Sequence, residues 1–335
     1  MRTLLAELGD PQLHYPAVHV VGTNGKSTTT RLTEALLADA GLVVGAYFSP
    51  HVRSWSERIR IDGDEADFER AVGAVRAAAQ RVGATQFETL TAAALAAFAE
   101  AEVDVAVVEA GLGGRHDATN VLESRVVVLT NVALEHTDVL GDTREAIAAE
   151  KLAVVKRGAV VVLGEDEWKP LVPDNRVIVT ARSNLALAIA AAEAFLGRGV
   201  SPSAAEGVAL PGRLEHRSEH PLEIWDGAHN LAGVGYLLPR LPDREFVVVA
   251  SILRDKRPEL MLEALSVLGD TFVATESANE RSVPAVELAE LARRFFAHVE
   301  VEPEPEAARR AALEAGDAVV VTGSLYLLSE LHGHG

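Results

Sequence analysis

At 335 residues, 48% of them hydrophobic and 24% charged, the chain is long enough for two cores rather than one. A net charge of −18 excludes broad contact with nucleic acid or an anionic membrane, because nothing offsets the repulsion from phosphates, so any anionic ligand needs a local positive site. The absence of cysteine excludes disulfides and thiolate metal sites and agrees with a cytoplasmic location.

The first residues, Met1-Arg2-Thr3-Leu4-Leu5-Ala6-Glu7, lack the apolar core of a signal peptide, and no apolar run is long enough to span a bilayer. Residues 4–13 read as a short helix and turn. The apolar run Ala17-Val18-His19-Val20-Val21 then breaks into Gly22-Thr23-Asn24-Gly25-Lys26-Ser27-Thr28, a strand, a phosphate loop and the start of a helix. The two glycines let backbone N–H groups turn toward an anion, and the helix adds the positive end of its dipole. Lys26 is a point charge for the outer phosphates, and Ser27 or Thr28 a hydroxyl for the magnesium that accompanies ATP. The full Walker pattern is not met, since Val20 stands where its first glycine belongs.

Helical spacing continues over residues 27–40, and residues 43–48 form a buried strand that delivers Ser49-Pro50-His51. A polar loop is expected over 52–61, with Trp55 and Arg58 either packing the loop or facing a substrate. Helices are expected at 64–82 and 87–102, then a central strand at 103–109 that ends on Glu109, where strand ends of an open parallel sheet line the ligand crevice. A second glycine loop, 111–120, carries Arg115, His116 and Asp117. A strand at 125–131 leads to Glu135-His136-Thr137, and a helix running to residue 155 contains Glu150-Lys151. The chain has five lysines against 26 arginines, so Lys26, Lys151 and Lys256, each beside motif-like residues, carry extra weight.

Weaker strands are expected at 159–163 and 176–179, and helices at 183–196 and 202–209. Pro211-Gly212-Arg213 marks a boundary, which predicts domains of 1–210 and 211–335. Strands at 222–225, 246–250, 271–275, 298–301 and 318–322 alternate with helices at 231–241, 258–268, 283–296, 306–315 and 325–331. The pattern is α/β: an N-terminal phosphate-loop domain with a doubly wound, mostly parallel sheet, and a smaller C-terminal Rossmann-like α/β domain.

These stretches occur in the order found in a known family. Gly22 to Thr28, Tyr47-Phe48-Ser49-Pro50-His51, Phe87-Glu88-Thr89-Leu90-Thr91, Gly113-Gly114-Arg115 with Asp117-Ala118-Thr119-Asn120, Glu135-His136-Thr137, Glu150-Lys151, Pro211-Gly212-Arg213-Leu214-Glu215, Asp226-Gly227-Ala228-His229-Asn230 and Thr322-Gly323-Ser324 cover nearly the whole chain. As a set they resemble the folylpolyglutamate and dihydrofolate synthases of the Mur ligase superfamily. The resemblance implies an ATP-dependent acid–amino-acid ligase that joins L-glutamate to folate or dihydropteroate through an acyl phosphate. It implies ATP and Mg2+ as cofactors and a monomer without nucleic-acid or membrane partners.

By the same resemblance, Ser49, Glu109, His136 and a carbamylated Lys151 hold magnesium, and the loop from Gly22 through Thr23, Asn24, Gly25, Lys26 and Ser27 to Thr28 holds the phosphates. Asn184, Arg213 and Asp226 contact the nucleotide, Arg115 and Asp117 the pterin acid, and His229 and Ser324 the incoming glutamate. Lys26, Lys151, Arg213 and His229 form the catalytic set. His116, His332 and His334 are read as ordinary surface or tail histidines. The chain departs from the pattern in three places. Ser27 follows Lys26 directly, as in the cell-wall Mur ligases, the extra helix that relatives carry before the first strand is missing, and the stretch between Lys156 and Asn184 is several dozen residues shorter than in relatives. Those departures leave open a Mur-type ligase for a different acid, or a nucleotide-binding relative with reduced turnover.

Overall fold

Most strands form where the sequence runs to valine and alanine, and in the computed structural model, which describes residues 1–333, the strands gather into two sheets. The chain divides into two units, one of residues 1–51 and 55–208, the other of 52–54 and 209 onward.

The first sheet holds β1 (Ala17–Val21), β2 (Val44–Tyr47), β3 (Ile59–Ile61), β4 (Asp64–Glu65), β5 (Val105–Glu109), β6 (Ser124–Leu129), β7 (Val160–Leu163) and β8 (Arg176–Val179), in the order β4-β3-β2-β5-β1-β6-β7-β8. Its pairings are parallel except β2 with β3 and β3 with β4. Alternation along β1 sends Val18 and Val20 to one face, against Leu36 and Leu37 of helix Lys26–Asp39 and Leu187 and Ala188 of helix Asn184–Leu196. The opposite face buries Tyr47, Ala106 and Val108 against helices Phe68–Val82 and Gln86–Glu100, with Phe98 at the centre. Burying both faces explains why the strands read as continuous apolar runs.

The second sheet holds β9 (Glu215–Glu219), β10 (Leu222–Trp225), β11 (Val247–Ala250), β12 (Thr271–Ala274), β13 (His298–Val301) and β14 (Ala318–Thr322), in the order β13-β12-β11-β14-β10-β9. Only β9 is antiparallel to its neighbour. Helices such as Pro258–Leu265 and Leu325–Leu331 cover its faces, completing a doubly wound, Rossmann-like α/β unit. Among the described residues no helix is long and apolar enough to cross a membrane.

Five expectations are corrected. The loop expected at 52–61 contains a 3-10 turn at Trp55–Arg58 and strand β3, which turns through Asp62 and Gly63, both at positive φ, into β4. The helix expected from residue 64 therefore begins at Phe68, where the Asp67 side chain caps it. The helix expected at 202–209 is a single 3-10 turn, Pro202–Ala205, and that expected at 283–296 spans Ala285–Ala292. Val52–Ser54 group with the second unit because Val52 is buried in the apolar cluster of Trp225, Leu327 and Leu328.

Candidate functional site

Sheet register sets the site. Tyr47 pairs with Val108, Val20 with Glu109 and Val21 with Leu129, so β2, β5, β1 and β6 end level at their carboxyl ends. That edge receives Ser49, Glu109, Gly22 and Thr130, which is where an open parallel sheet binds ligands.

The phosphate loop is held from behind by the residues after β6. Thr23 N donates to Asn131 O at 3.0 Å, and Asn24 N to Asn131 Oδ1 at 3.1 Å. Asn24 O accepts from Thr130 Oγ1 at 2.7 Å and Asn131 Nδ2 at 2.9 Å. A Cβ on Gly22 would lie 1.9 Å from Thr130 Oγ1, and one on Gly25, at φ +80°, 2.4 Å from Asn184 Oδ1, so both positions exclude side chains. Asn184 is thereby packed directly on the loop, in the first turn of a helix capped by Ser183. Lys26 opens its helix and donates from Nζ to Thr23 O at 3.2 Å.

Beside the loop, Ser27 Oγ donates to Glu109 Oε1 at 3.0 Å, and Ser49 N to Glu109 Oε2 at 3.1 Å. Glu109 is only 1% exposed. Of the two candidate hydroxyls, this assigns Ser27 rather than Thr28 to the carboxylate. A hydroxyl and a carboxylate at the positive end of a helix form an oxygen donor set that fits magnesium, which prefers oxygen ligands and shares them with substrate phosphates. His136 begins the short helix Thr137–Leu140 in a left-handed conformation, φ 51°.

Lys151 lies within the same structure. It is 4% exposed, and its Nζ donates to Gly22 O at 2.9 Å. Burial, reinforced by the nearby Lys26 charge and opposed by Glu135, Asp117 and Glu150, lowers its pKa to about 7.

The second glycine loop packs on this lysine's own helix turn. A Cβ on Gly114 would lie 2.5 Å from Lys151 O and 2.7 Å from Glu150 O. Arg115 N and Nε donate to the Glu150 carboxylate, both at 3.1 Å, leaving the guanidinium exposed. Asp117, expected to face the substrate, is engaged within the loop: Oδ2 accepts from Leu112 N at 2.8 Å, and Oδ1 accepts from Thr119 N at 2.9 Å and from the Thr119 hydroxyl. Thr119 Oγ1 in turn is 2.8 Å from Nε2 of the buried His19. Burial lowers the His19 pKa to about 4, with Asp117 opposing and Lys156 adding to the shift.

In the second unit, β10 and β14 deliver the remaining candidates. Asp226 accepts from Leu214 N and Ala228 N, both at 2.9 Å, so its two oxygens already organise the loop, and burial raises its pKa against the charge of Arg213. Arg213 Nη1 donates to Gly212 O at 3.0 Å, and His229 Nδ1 is 2.9 Å from Gly227 O. Ser324 is buried and its hydroxyl caps helix Leu325–Leu331, accepting from Tyr326 N at 3.1 Å.

Trp55 and Arg58 pack against each other and their own loop. Arg58 lies over the Trp55 ring and donates from Nε to His51 Nδ1 at 2.9 Å, while Trp55 stacks against Phe68. His116 is exposed, and His334 lies outside the described residues. His332 corrects its reading as a tail histidine: its ring stands edge-on to Trp225 at 5.0 Å between centroids, and its Nε2 is 3.4 Å from Glu215 Oε2. Burial works to raise the Glu215 pKa, yet hydrogen bonds from His332, Gly212 and Arg217 carry it down to about 2.

Sequence reasoning also missed Thr130, Asn131, His19 and Glu165. The last accepts from Val132 N at 3.0 Å and Trp168 Nε1 at 2.8 Å and pairs with Arg144 and Arg182, tethering the segment that leads to His136. The dipeptide Thr130-Asn131 at a strand end was the available signal for two of these residues.

Residues 20–184 match the family model of the Mur ligase middle domain, and residues 212–325 that of the Mur ligase glutamate ligase domain. The chain is 32% identical to the folylpolyglutamate synthase of Lacticaseibacillus casei, over 98% of this chain and 91% of that one. It is similar to the Mycobacterium tuberculosis folylpolyglutamate synthase solved with ADP and AMPPCP, at TM-score 0.91 and 30% identity, covering 100% of this chain and 95% of that one. It is also similar to the bifunctional folylpolyglutamate synthase/dihydrofolate synthase of Yersinia pestis solved with AMPPNP and a manganese ion, at TM-score 0.88 and 31% identity, covering 99% and 92%.

Proposed function

The chain belongs to the folylpolyglutamate synthase/dihydrofolate synthase family of Mur ligases, and from that premise we propose that it uses ATP to join L-glutamate to a folate-type carboxylate, with the residues above dividing the work. The observation that carries this reading is the 3.0 Å hydrogen bond between Ser27 and the buried Glu109, where a phosphate loop meets a carboxylate at a helix N-terminus.

A carboxylate is a poor acceptor for an amine, so the γ-phosphoryl group is first transferred to the acceptor carboxylate, breaking its bond to ADP and forming an acyl phosphate. The glutamate amine then attacks the acyl carbon: a C–N bond forms, the C–O bond to phosphate breaks, and the amine's proton is released. Held from behind by Asn131, the loop from Gly22 to Thr28 would take the phosphates on the backbone N–H groups that open helix Lys26–Asp39, and Lys26 faces the charge that develops on the transferring group. Ser27 and Glu109, with Ser49, His136 and a carbamate on Lys151, would hold magnesium, which would supply charge neutralisation at those phosphates. The buried, low-pKa amine of Lys151 supports that carbamate, because only the neutral amine adds carbon dioxide, with loss of a proton to water.

Asn184, Arg213 and Asp226 act on the nucleotide, with Asp226 also ordering its loop. Arg115 and Asp117 serve the pterin acid, Asp117 chiefly by shaping its loop, and His229 and Ser324 serve glutamate. The first unit is thus the ATP-binding domain and the second the glutamate-ligase domain, and the enzyme works in the cytoplasm as a monomer without nucleic acid. Sedimentation of the purified chain tests the last point.

Coupled ADP release over a panel of acids and amines tests the whole. Turnover requiring both a pterin acid and L-glutamate is the expected result. Dependence on another acid would move the chain to a different Mur-type substrate, the reading favoured by Ser27 directly after Lys26 and by the short stretch between Lys156 and Asn184.

A further inference from the structure

The turn that carries Arg213 is gripped by carboxylates on both sides. Gly212 takes φ +63° and Leu214 φ +47°, so both neighbours of Arg213 lie in the left-handed region, which a leucine rarely adopts unless its surroundings impose it. The impositions are visible. Glu215 Oε2 accepts from Gly212 N at 2.7 Å, and Asp226 Oδ2 accepts from Leu214 N at 2.9 Å. Gly212 O accepts from Gly227 N at 2.8 Å and from Arg213's own Nη1 at 3.0 Å. A Cβ on Gly212 would meet Leu328 Cδ1 at 2.8 Å, so the turn also lies flat against helix Leu325–Leu331.

Glu215 is itself immobilised. Arg217 Nη1 donates to its Oε1 at 2.8 Å, and His332, just past the end of that helix, approaches its Oε2 to 3.4 Å. The His332 side chain is 6% exposed and edge-on to Trp225, which fixes the ring.

We propose that Glu215, clamped by His332, is a positioning residue of the ligase reaction: it touches no substrate but holds the backbone from which Arg213 is aimed. The proposal rests on the reading of Arg213 as a residue that acts on the nucleotide. A carboxylate suits the task because all its neighbours are donors. Glu215→Gln preserves size but offers one oxygen where two are used, and turns an N–H toward another donor.

The test is a double-mutant cycle in steady-state ADP release, with thermal melts as a fold control. Glu215→Gln is expected to lower kcat about tenfold with the KM for ATP changed less than about twofold, the scale of losing an outer partner that orients an active group. In an Arg213→Ala background the same substitution is expected to cost nothing further. His332→Phe, which keeps a ring on Trp225 but loses Nε2, is expected to lower kcat in the same Arg213-dependent way, and His332→Gln to recover part of it. If Glu215→Gln fails to fold, His332→Phe carries the cycle. Equal losses with and without Arg213, or a raised KM at unchanged kcat, would overturn the proposal. An Arg213→Ala enzyme with normal turnover would instead overturn the nucleotide role of Arg213, on which the proposal stands.

Discussion

Acid should loosen the first unit through His19, and the size of the effect follows from its surroundings. The ring is 1% exposed in the middle of β1, and its Nε2 is 2.8 Å from Thr119 Oγ1, whose proton is committed to Asp117. Nε2 therefore carries hydrogen and donates, and the buried ring is neutral. Burial lowers its pKa from the usual 6.5 to about 4. A group whose folded pKa lies below its unfolded value contributes stability that is complete above the unfolded pKa and is lost as pH falls toward the folded one. Between pH 6.5 and 4 the unfolded chain binds the proton more readily, and by pH 5 the loss amounts to about 2 kcal/mol, approaching about 3 kcal/mol at lower pH. That is a large part of the 5–15 kcal/mol typical of a folded domain.

His19→Gln keeps a donor for Thr119 and cannot titrate. Urea unfolding would be followed by tryptophan fluorescence in a Trp225→Phe background, so that Trp55 and Trp168 report on the first unit alone. The parent is expected to lose about 2 kcal/mol more than His19→Gln between pH 7.5 and pH 5. Equal pH slopes in the two chains would refute the reasoning, whatever the absolute stability of the variant.

Lys26→Ala is expected to lower ADP release at least about 10²-fold at unchanged melting temperature, because a fixed cation facing developing charge is lost while no core contact is. Near-normal turnover would end the phosphate-loop reading. Gly114→Ala is expected to cost about 1–3 kcal/mol in thermal stability and to reduce turnover, since its Cβ would press on the backbone carbonyls of Glu150 and Lys151; an unchanged melting curve would show that the loop yields. Lys151→Ala is expected to depress activity, with partial rescue by formate or acetate. Carbon-13 bicarbonate should give a carbamate resonance in the parent that this variant lacks, and identical spectra would remove the modification.

Legibility in the sequence tracked chemistry that is local in the chain. The phosphate loop was readable because glycines, lysine and hydroxyls fall within seven consecutive residues, and Glu109 because a buried strand ending on a carboxylate needs a reason. Strand β9, Glu215–Glu219, was invisible because Glu-His-Arg-Ser-Glu contains no apolar residue to alternate. Strands β3 and β4 were legible in principle: Asp62-Gly63 after Ile59-Arg60-Ile61 is a hairpin signal, and both turn residues do take positive φ. The dependence of Glu215 on His332 could not be read at all, since the pair meets across 117 residues. His19 is the instructive case, for its neighbours Val18 and Val20 face one side of the sheet while it faces the other. A polar side chain inside a strand buried on both faces must have a partner, because leaving it unsatisfied would cost on the order of 1–3 kcal/mol. The chemistry of the histidine alone thus demands an acceptor or a hydroxyl opposite β1, and the Asp117-to-Asn120 stretch of the second glycine loop supplies it through Thr119.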